Sequence, residues 1–273
     1  MTGVQTCALP IFIAFGTHVA GIIGAERNNG IGINGVANNV KLMSIRAVPN
    51  GDEYDKDIAL GIRYAVDNGA KIINCSFGKS FSPNAEWVYE AIQYAAKNDV
   101  LIVHAAGNDG KDLDNRANPN YPNDHKFSGS EFSDNVITVG ALAPSYGSNM
   151  VASFSNYGST NVDVFAPGDE IYSTMPNNEY KSQGGTSMAA PAVAGIAALI
   201  RSHYPKLTAS QVKKVLMQSG LAAKTIVMLA GTNENPRPFA QVSKSGRMVN
   251  AYNALLLAAK VSKGKMAFNS NAR

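Results

Sequence analysis

The sequence is poor in charge. Asp, Glu, Lys and Arg make up 16% of the 273 residues, against roughly 25% in an average soluble domain. The formal net charge is only +4 and no Lys or Arg run forms a stripe, so there is no footprint for nucleic acid or an anionic membrane surface. Cysteine is scarce as well: Cys7 and Cys75 are the only two, which excludes a disulfide framework. No apolar run is long enough to span a bilayer. The most apolar stretch near the start, 7–15, contains Pro10 and has no Lys or Arg before it, so it reads neither as a span nor as a signal peptide. What the chain does have is 45% apolar residues and 25 glycines, enough to bury a full core and to exclude disorder. A compact, loop-rich, monomeric globular protein is expected.

From Val40 onward strand-length apolar runs alternate with stretches of helical period. Residues 40–45, 71–76 and 100–105 are short, β-branched and nearly continuous, as strands buried on both faces should be. Between them, Ile58, Ile62, Ala65 and Val66 mark one face of a helix over 54–68, and Val88, Ala91, Ile92, Ala95 and Ala96 mark another over 84–98. Further strands are expected at 136–141 and 162–166, followed by a long apolar helix over 186–204. Thr208 with Gln211 forms a capping box that opens another helix, and 250–260 reads as the last. The pattern predicts an α/β fold, a doubly wound, mostly parallel sheet with helices on both faces in three layers. In such sheets ligands bind at the carboxyl ends of the strands.

Gly30-Ile31-Gly32-Ile33-Asn34-Gly35 matches G-x-G-x-x-G. That fingerprint needs a strand before it and a helix after it, so that the phosphate rests on the helix N-terminus. Here residues 21–25 read as helix and 40–45 as strand. The order is reversed, and the segment is read as a glycine-rich turn, not a nucleotide site.

The sharpest signal is Gly184-Gly185-Thr186-Ser187-Met188-Ala189-Ala190-Pro191. A serine among small residues opens a buried helix, whose unpaired N–H groups and positive potential would stabilise an oxyanion nearby. Pro191 has no N–H to offer the carbonyl of Ser187. The octet resembles the nucleophile segment of the subtilisin-like serine proteases, the subtilases of peptidase family S8. The rest of the chain carries matching wording at Ala105-Ala106-Gly107-Asn108, Asn74-Cys75-Ser76-Phe77-Gly78, Arg27 to Gly32, Ser153 to Gly158 and Asp163 to Gly168. The resemblance implies a serine endopeptidase acting on peptide or protein substrates, with Ser187 as nucleophile and Asn108 as oxyanion donor. Ser76, Phe77 and Gly78 with Ala105, Ala106 and Gly107 would line the substrate cleft, where a peptide could add as an extra strand. No cofactor is required by this chemistry. The Asn28 to Gly35 turn resembles a family loop that wraps structural calcium, which would make Asn29 a ligand. The family is usually exported, implying a secreted, periplasmic or cell-envelope location.

The departures are as informative. The family places its general base at the first histidine of His-Gly-Thr-His-Val-Ala-Gly, whereas this chain reads Phe15-Gly16-Thr17-His18-Val19-Ala20-Gly21. Phenylalanine cannot accept a proton, and His18 matches a structural histidine. Only fourteen residues precede Phe15 and the first acidic residue is Glu26, so the triad aspartate has no counterpart. Of the other histidines, His104 reads as strand packing, His125 as a loop residue and His203 as the far end of the Ser187 helix, more than about 20 Å away. Residues 1–11 look like translated sequencing adapter. The expectation is therefore an N-terminally truncated chain: a leader over 1–15, the catalytic domain over 16–260 lacking its first strand and helix, and a polar tail over 261–273. As given it is expected to be inactive, with a peptide-binding pseudoprotease as the alternative. The missing elements would leave a sheet edge open, with weak solubility and marginal stability.

Overall fold

In the computed structural model the described residues are 7–8, 13–49, 51, 53–126, 130–232, 234–265 and 268, with side chains described from residue 14 onward. The main sheet contains β1 (Cys7–Ala8), β2 (Met43–Ser44), β3 (Ile72–Cys75), β4 (Leu101–Ala105), β5 (Val136–Leu142) and β6 (Val164–Pro167). A hairpin, β7 (Ile171–Met175) and β8 (Glu179–Gln183), follows, and then β9 (Leu221–Ala222), a second hairpin of β10 (Ile226–Met228) and β11 (Pro236–Pro238), and β12 (Arg247–Met248). The helices are α1 (Ile13–Gly24), α2 (Asp55–Asp67), α3 (Ala85–Lys97), α4 (Thr186–His203), α5 (Ala209–Ser219) and α6 (Ala251–Ser262). The sheet order is β2-β1-β3-β4-β5-β6-β12-β9, parallel throughout except for the β12–β9 pair.

Because successive strand residues point to opposite faces, the sheet supplies two cores. Ile72, Leu101, Val103, Ile137 and Val139 pack with α1, α4, α5 and α6, while Ile73, Cys75, Ile102 and Val136 pack with α2 and α3. This is the three-layer arrangement read from the sequence. Helix α4 is apolar nearly all round because it is central, with Met188, Ala189, Ala190, Val193, Ala194 and Ala197 all fully buried. The α5 capping box is present: Gln211 N–H donates to Thr208 Oγ1 at 3.2 Å and Thr208 N–H to Gln211 Oε1 at 2.9 Å.

Two sequence expectations change. The strand read over 40–45 is only Met43–Ser44, because it is the sheet edge and its one neighbour, β1, is two residues long. Parts of the segment read as a leader over 1–15 have a place in the described structure: Cys7–Ala8 pairs between β2 and β3, and α1 begins at Ile13.

Away from the cleft, α5 buries Lys213 among three carboxylates. Its Nζ lies 3.1 Å from Glu131 Oε1, 3.5 Å from Asp163 Oδ1 and 3.6 Å from Asp124 Oδ2, and Lys244 reaches Glu131 at 2.6 Å. Three carboxylates face two lysines, so one negative charge is in excess. Burial, reinforced by Glu131 and Asp163 and opposed by Lys213, pushes the Asp124 carboxyl up to about 7. Burial works against the Lys213 ammonium, but its three carboxylates outweigh it and hold the charge on.

Candidate active site

The carboxyl ends of β3 and β4 meet the N-terminus of α4. Gly185 is the N-cap, with φ +153, a conformation that favours glycine. Thr186 and Ser187 follow as the first helical residues. Asn108, three residues past the end of β4, accepts the Thr186 N–H at 2.8 Å and the Thr186 hydroxyl at 3.0 Å on its Oδ1. Only an oxygen can accept a backbone N–H, so the orientation of the amide is fixed and Nδ2 is left as the outward donor. Thr186 Oγ1 in turn accepts the Gly107 N–H at 3.0 Å. Asn108 is thus locked to the positive end of α4, beside Ser187.

Ser187 and Ser76 are paired reciprocally. The Ser187 hydroxyl donates to the Ser76 carbonyl at 3.1 Å, and the Ser76 hydroxyl donates to the Ser187 carbonyl at 2.8 Å. The second bond exists because Pro191 frees the Ser187 carbonyl from the helix ladder. Asn74 Nδ2 donates to Ser76 Oγ at 2.9 Å and completes the chain. The proton of Ser187 therefore rests on a carbonyl, a weak base.

The expected cleft walls come together at this point, with one correction. Gly78 is exposed and Gly107 half-buried, but Ser76, Phe77, Ala105 and Ala106 are buried. Phe77, expected to line the cleft, is 5% exposed and its side chain packs in the α2/α3 core. Several of the backbone acceptors are also engaged. His104 Nε2 bonds the Phe77 carbonyl at 3.0 Å, and Asn120 Nδ2 donates to the Ala105 and Ala106 carbonyls at 3.1 and 2.9 Å. What this wall presents is backbone, at the exposed Gly78, more than side chains. A concavity of about 680 Å³ begins at Lys79, the residue after Gly78, and includes Tyr54, Asp57, Phe81 and Trp87.

Sequence reasoning missed Asn120 and undervalued Asn156. Asn156 Oδ1 accepts the Asp109 and Lys111 N–H groups at 3.1 and 2.8 Å while its Nδ2 donates to the Ala106 carbonyl at 2.9 Å. It clamps the loop that carries Asn108. A Cβ on Gly107, at φ +98, would come within 2.5 Å of Asn156 Nδ2, so glycine there is what lets the clamp close. Asn156 was visible only as part of Ser153 to Gly158, and Asn120 only as one asparagine in a polar turn.

The histidines are committed elsewhere. His18 is fully buried with Nε2 on the Lys181 carbonyl at 2.9 Å, and burial lowers its pKa. His104 is 1% exposed, and burial brings it down to about 4, so its ring is neutral. His125 is likewise lowered by burial, and His203 ends α4. Phe15, at the position expected for the base, packs against the main core. Burial pushes the Cys75 thiol up to about 12, which removes it as an alternative nucleophile. In the loop expected to hold calcium, Asn29 Oδ1 accepts the Ile31 N–H at 3.0 Å and Asn34 Oδ1 accepts the Asn28 N–H at 3.1 Å, which leaves each oxygen one further lone pair. Among the described residues no cluster of three His, Cys, Asp or Glu could hold a metal ion, and no helix is long and apolar enough to cross a membrane.

The sequence pattern of the subtilase family matches residues 14–258. Among curated relatives, the thermophilic serine proteinase of Bacillus sp. (strain AK1) is 43% identical over 189 residues, 69% of this chain and 42% of that protein. Subtilisin DY of Bacillus licheniformis is 41% identical over 74% of this chain and 68% of its own length. Thermitase of Thermoactinomyces vulgaris is 42% identical over 69% of this chain and 61% of its own length. The chain thus spans less than two thirds of two of these three. Among solved structures, a protease of Pseudoalteromonas arctica superposes with TM-score 0.70 at 31% identity, over 89% of this chain and 70% of that one. By family match, relatives and fold, the chain belongs to the subtilase family of serine proteases.

Proposed function

We propose that this chain is the peptide-binding and nucleophile-bearing part of a serine endopeptidase that hydrolyses peptide bonds through an acyl-enzyme on Ser187. The observation that supports this best is the Asn108–Thr186–Ser187–Ser76 network, which sets a serine hydroxyl and a free amide donor together at one helix N-terminus. In the complete reaction Ser187 Oγ attacks the scissile carbonyl, and Asn108 Nδ2 with the α4 N-terminus receives the developing oxyanion. The attack requires a base to take the hydroxyl proton. With Phe15 at the base position, the hydroxyl is not activated, and hydrolysis by the chain as given is negligible. In subtilisin, itself a member of this family, loss of the serine or the histidine costs on the order of 10⁶ in turnover.

A second reading, a pseudoprotease that holds peptides without cleaving them, is favoured by the seating of Phe15 in the core. Under both readings the partner is an extended peptide or protein segment, bound by a monomer with no cofactor and no nucleic acid. Export to the cell envelope is the proposed setting; a relative from Bacillus subtilis is named cell wall-associated protease, and another is named major intracellular serine protease. The test is fluorescence anisotropy of a labelled extended peptide, with the peptide analysed for cleavage afterwards. Retained binding with intact peptide, in both the chain and Ser187→Ala, is expected. No binding at any concentration of folded protein overturns the proposal. Rapid cleavage by the chain as given overturns the statement that Ser187 lacks activation.

A further inference from the structure

The glycine segment that follows α1 holds two Asn-Gly pairs, Asn29-Gly30 and Asn34-Gly35, in opposite settings. We propose that Asn29 is a site of spontaneous covalent modification, deamidation to aspartate and isoaspartate through a cyclic imide, and that Asn34 is shielded from the same reaction.

The reaction needs the amide nitrogen of the following residue to reach the side-chain Cγ. At Asn29 the loop is exposed throughout. Asn29 Oδ1 accepts the Ile31 N–H at 3.0 Å, an Asx turn that folds the carboxamide over the Gly30 peptide and draws electron density from Cγ. Gly30 sits at φ +74, and a Cβ there would meet nothing within 4 Å, so no neighbour obstructs the approach. Among the described residues the Gly30 N–H has no hydrogen-bond acceptor. The Asn28 N–H bond to Asn34 Oδ1, 3.1 Å, ties the two ends of the loop and makes the turn persist.

Asn34 is also exposed, but the setting of the residue after it is reversed, because Gly35 is buried. The Gly35 N–H donates to the Ala25 carbonyl at 3.0 Å. Backbone surrounds Gly35 so closely that a Cβ would lie 2.3 Å from Ala25 N and 2.7 Å from Gly24 C. Asn34 Oδ1 is held by Asn28 N–H, not by its own downstream backbone. Before Gly35 nitrogen could attack, this packed corner between α1 and the loop would have to open.

The chemistry balances without any co-reactant other than water. Base removes the Gly30 amide proton, the nitrogen bonds to Asn29 Cγ, and the Cγ–Nδ2 bond breaks with Nδ2 leaving as ammonia. Water then opens the imide at either carbonyl, giving aspartate or the β-linked isomer. One water is consumed, one ammonia is released, and nothing is oxidised or reduced.

The full folded chain is incubated at mildly alkaline pH, sampled over time, and mapped by tandem mass spectrometry, with isoaspartate read by enzymatic methylation of the β-aspartyl carboxyl group. Conversion at Asn29 is expected to outpace that at Asn34 by about fivefold or more in the folded protein, and the two rates should converge in urea. Asn29→Gln should remove the early isoaspartate signal without altering the unfolding curve. Equal rates at the two sites in the folded chain, faster conversion at Asn34, or an unreactive Asn29 in folded protein whose urea-unfolded form reacts overturns the proposal.

Discussion

Helices α1 and α4 share one core, yet their N-termini are built from different materials. At the start of α4, Thr186 and Ser187 are tied to Asn108, Gly107 and Ser76 through side-chain hydrogen bonds. At the start of α1 there is no acidic residue in the first turn, and Phe15 packs against the same core cluster. Under the proposed function, placing a nucleophile and activating it are separable. Placement would come from Pro191, the Gly185 cap and the asparagines Asn74, Asn108, Asn120 and Asn156. Activation would need a proton acceptor on the other helix.

The largest effect expected from breaking this contrast is chemical. Phe15→His supplies an imidazole at the α1 position without the aspartate that would orient it. In subtilisin, losing the aspartate alone costs about 3 × 10⁴ in turnover against about 2 × 10⁶ for losing the histidine. Steady-state hydrolysis of a chromogenic peptide should therefore rise by about 10² in the variant, and no rise would mean that the two helices are not in register for catalysis.

A second test moves to the buried Lys213 cluster, where polar groups serve stability instead of chemistry. Lys213→Met leaves Asp124, Glu131 and Asp163 without their central cation and is expected to cost about 3–5 kcal/mol in urea unfolding. The same cluster sets a pH dependence. With its pKa raised from 3.8 to about 7 in the folded state, Asp124 keeps its proton in the native chain where the unfolded chain has released it. This contribution to stability is present below pH 3.8 and is lost as pH rises towards 7. Asp124→Asn should flatten that decline by up to about 4 kcal/mol, read from unfolding curves at several pH values. A steeper decline in the variant would reverse the assignment.

The smallest expected effect sharpens the α4 side. Thr186→Val keeps the shape but removes the hydroxyl between Asn108 and Gly107, for a loss of about 1–2 kcal/mol. In the Phe15→His background it should also lower kcat more than it raises KM, because Asn108 then holds its donor less firmly.

The sequence was most legible where a signal is local. The stripes of α2 and α3, the capping box of α5 and the Pro191 effect on the Ser187 carbonyl each depend on residues within one or two helical turns. The hairpin β7–β8 was not read, because its exposed and polar residues such as Glu179, Lys181 and Ser182 carry no apolar run. The Lys213 cluster was invisible for another reason: Lys213 on α5 is far along the chain from Asp124, Glu131 and Asp163, and only the fold joins them. Asn120 and Asn156 belong to the same class. Their partners, Ala105, Ala106, Asp109 and Lys111, lie in another segment of the chain, and an asparagine in a turn looks the same whether or not it clamps a distant loop.

The most direct measurement of the central claim is the rate at which a fluorophosphonate labels Ser187, in the chain as given and in Phe15→His. The reagent reports activation of the serine without requiring a substrate sequence. Labelling at the background rate of a denatured control in the first, and labelling of Ser187 in the second, is the result that follows from a placed but unactivated nucleophile. Rapid, site-specific labelling of Ser187 in the unaltered chain would contradict it.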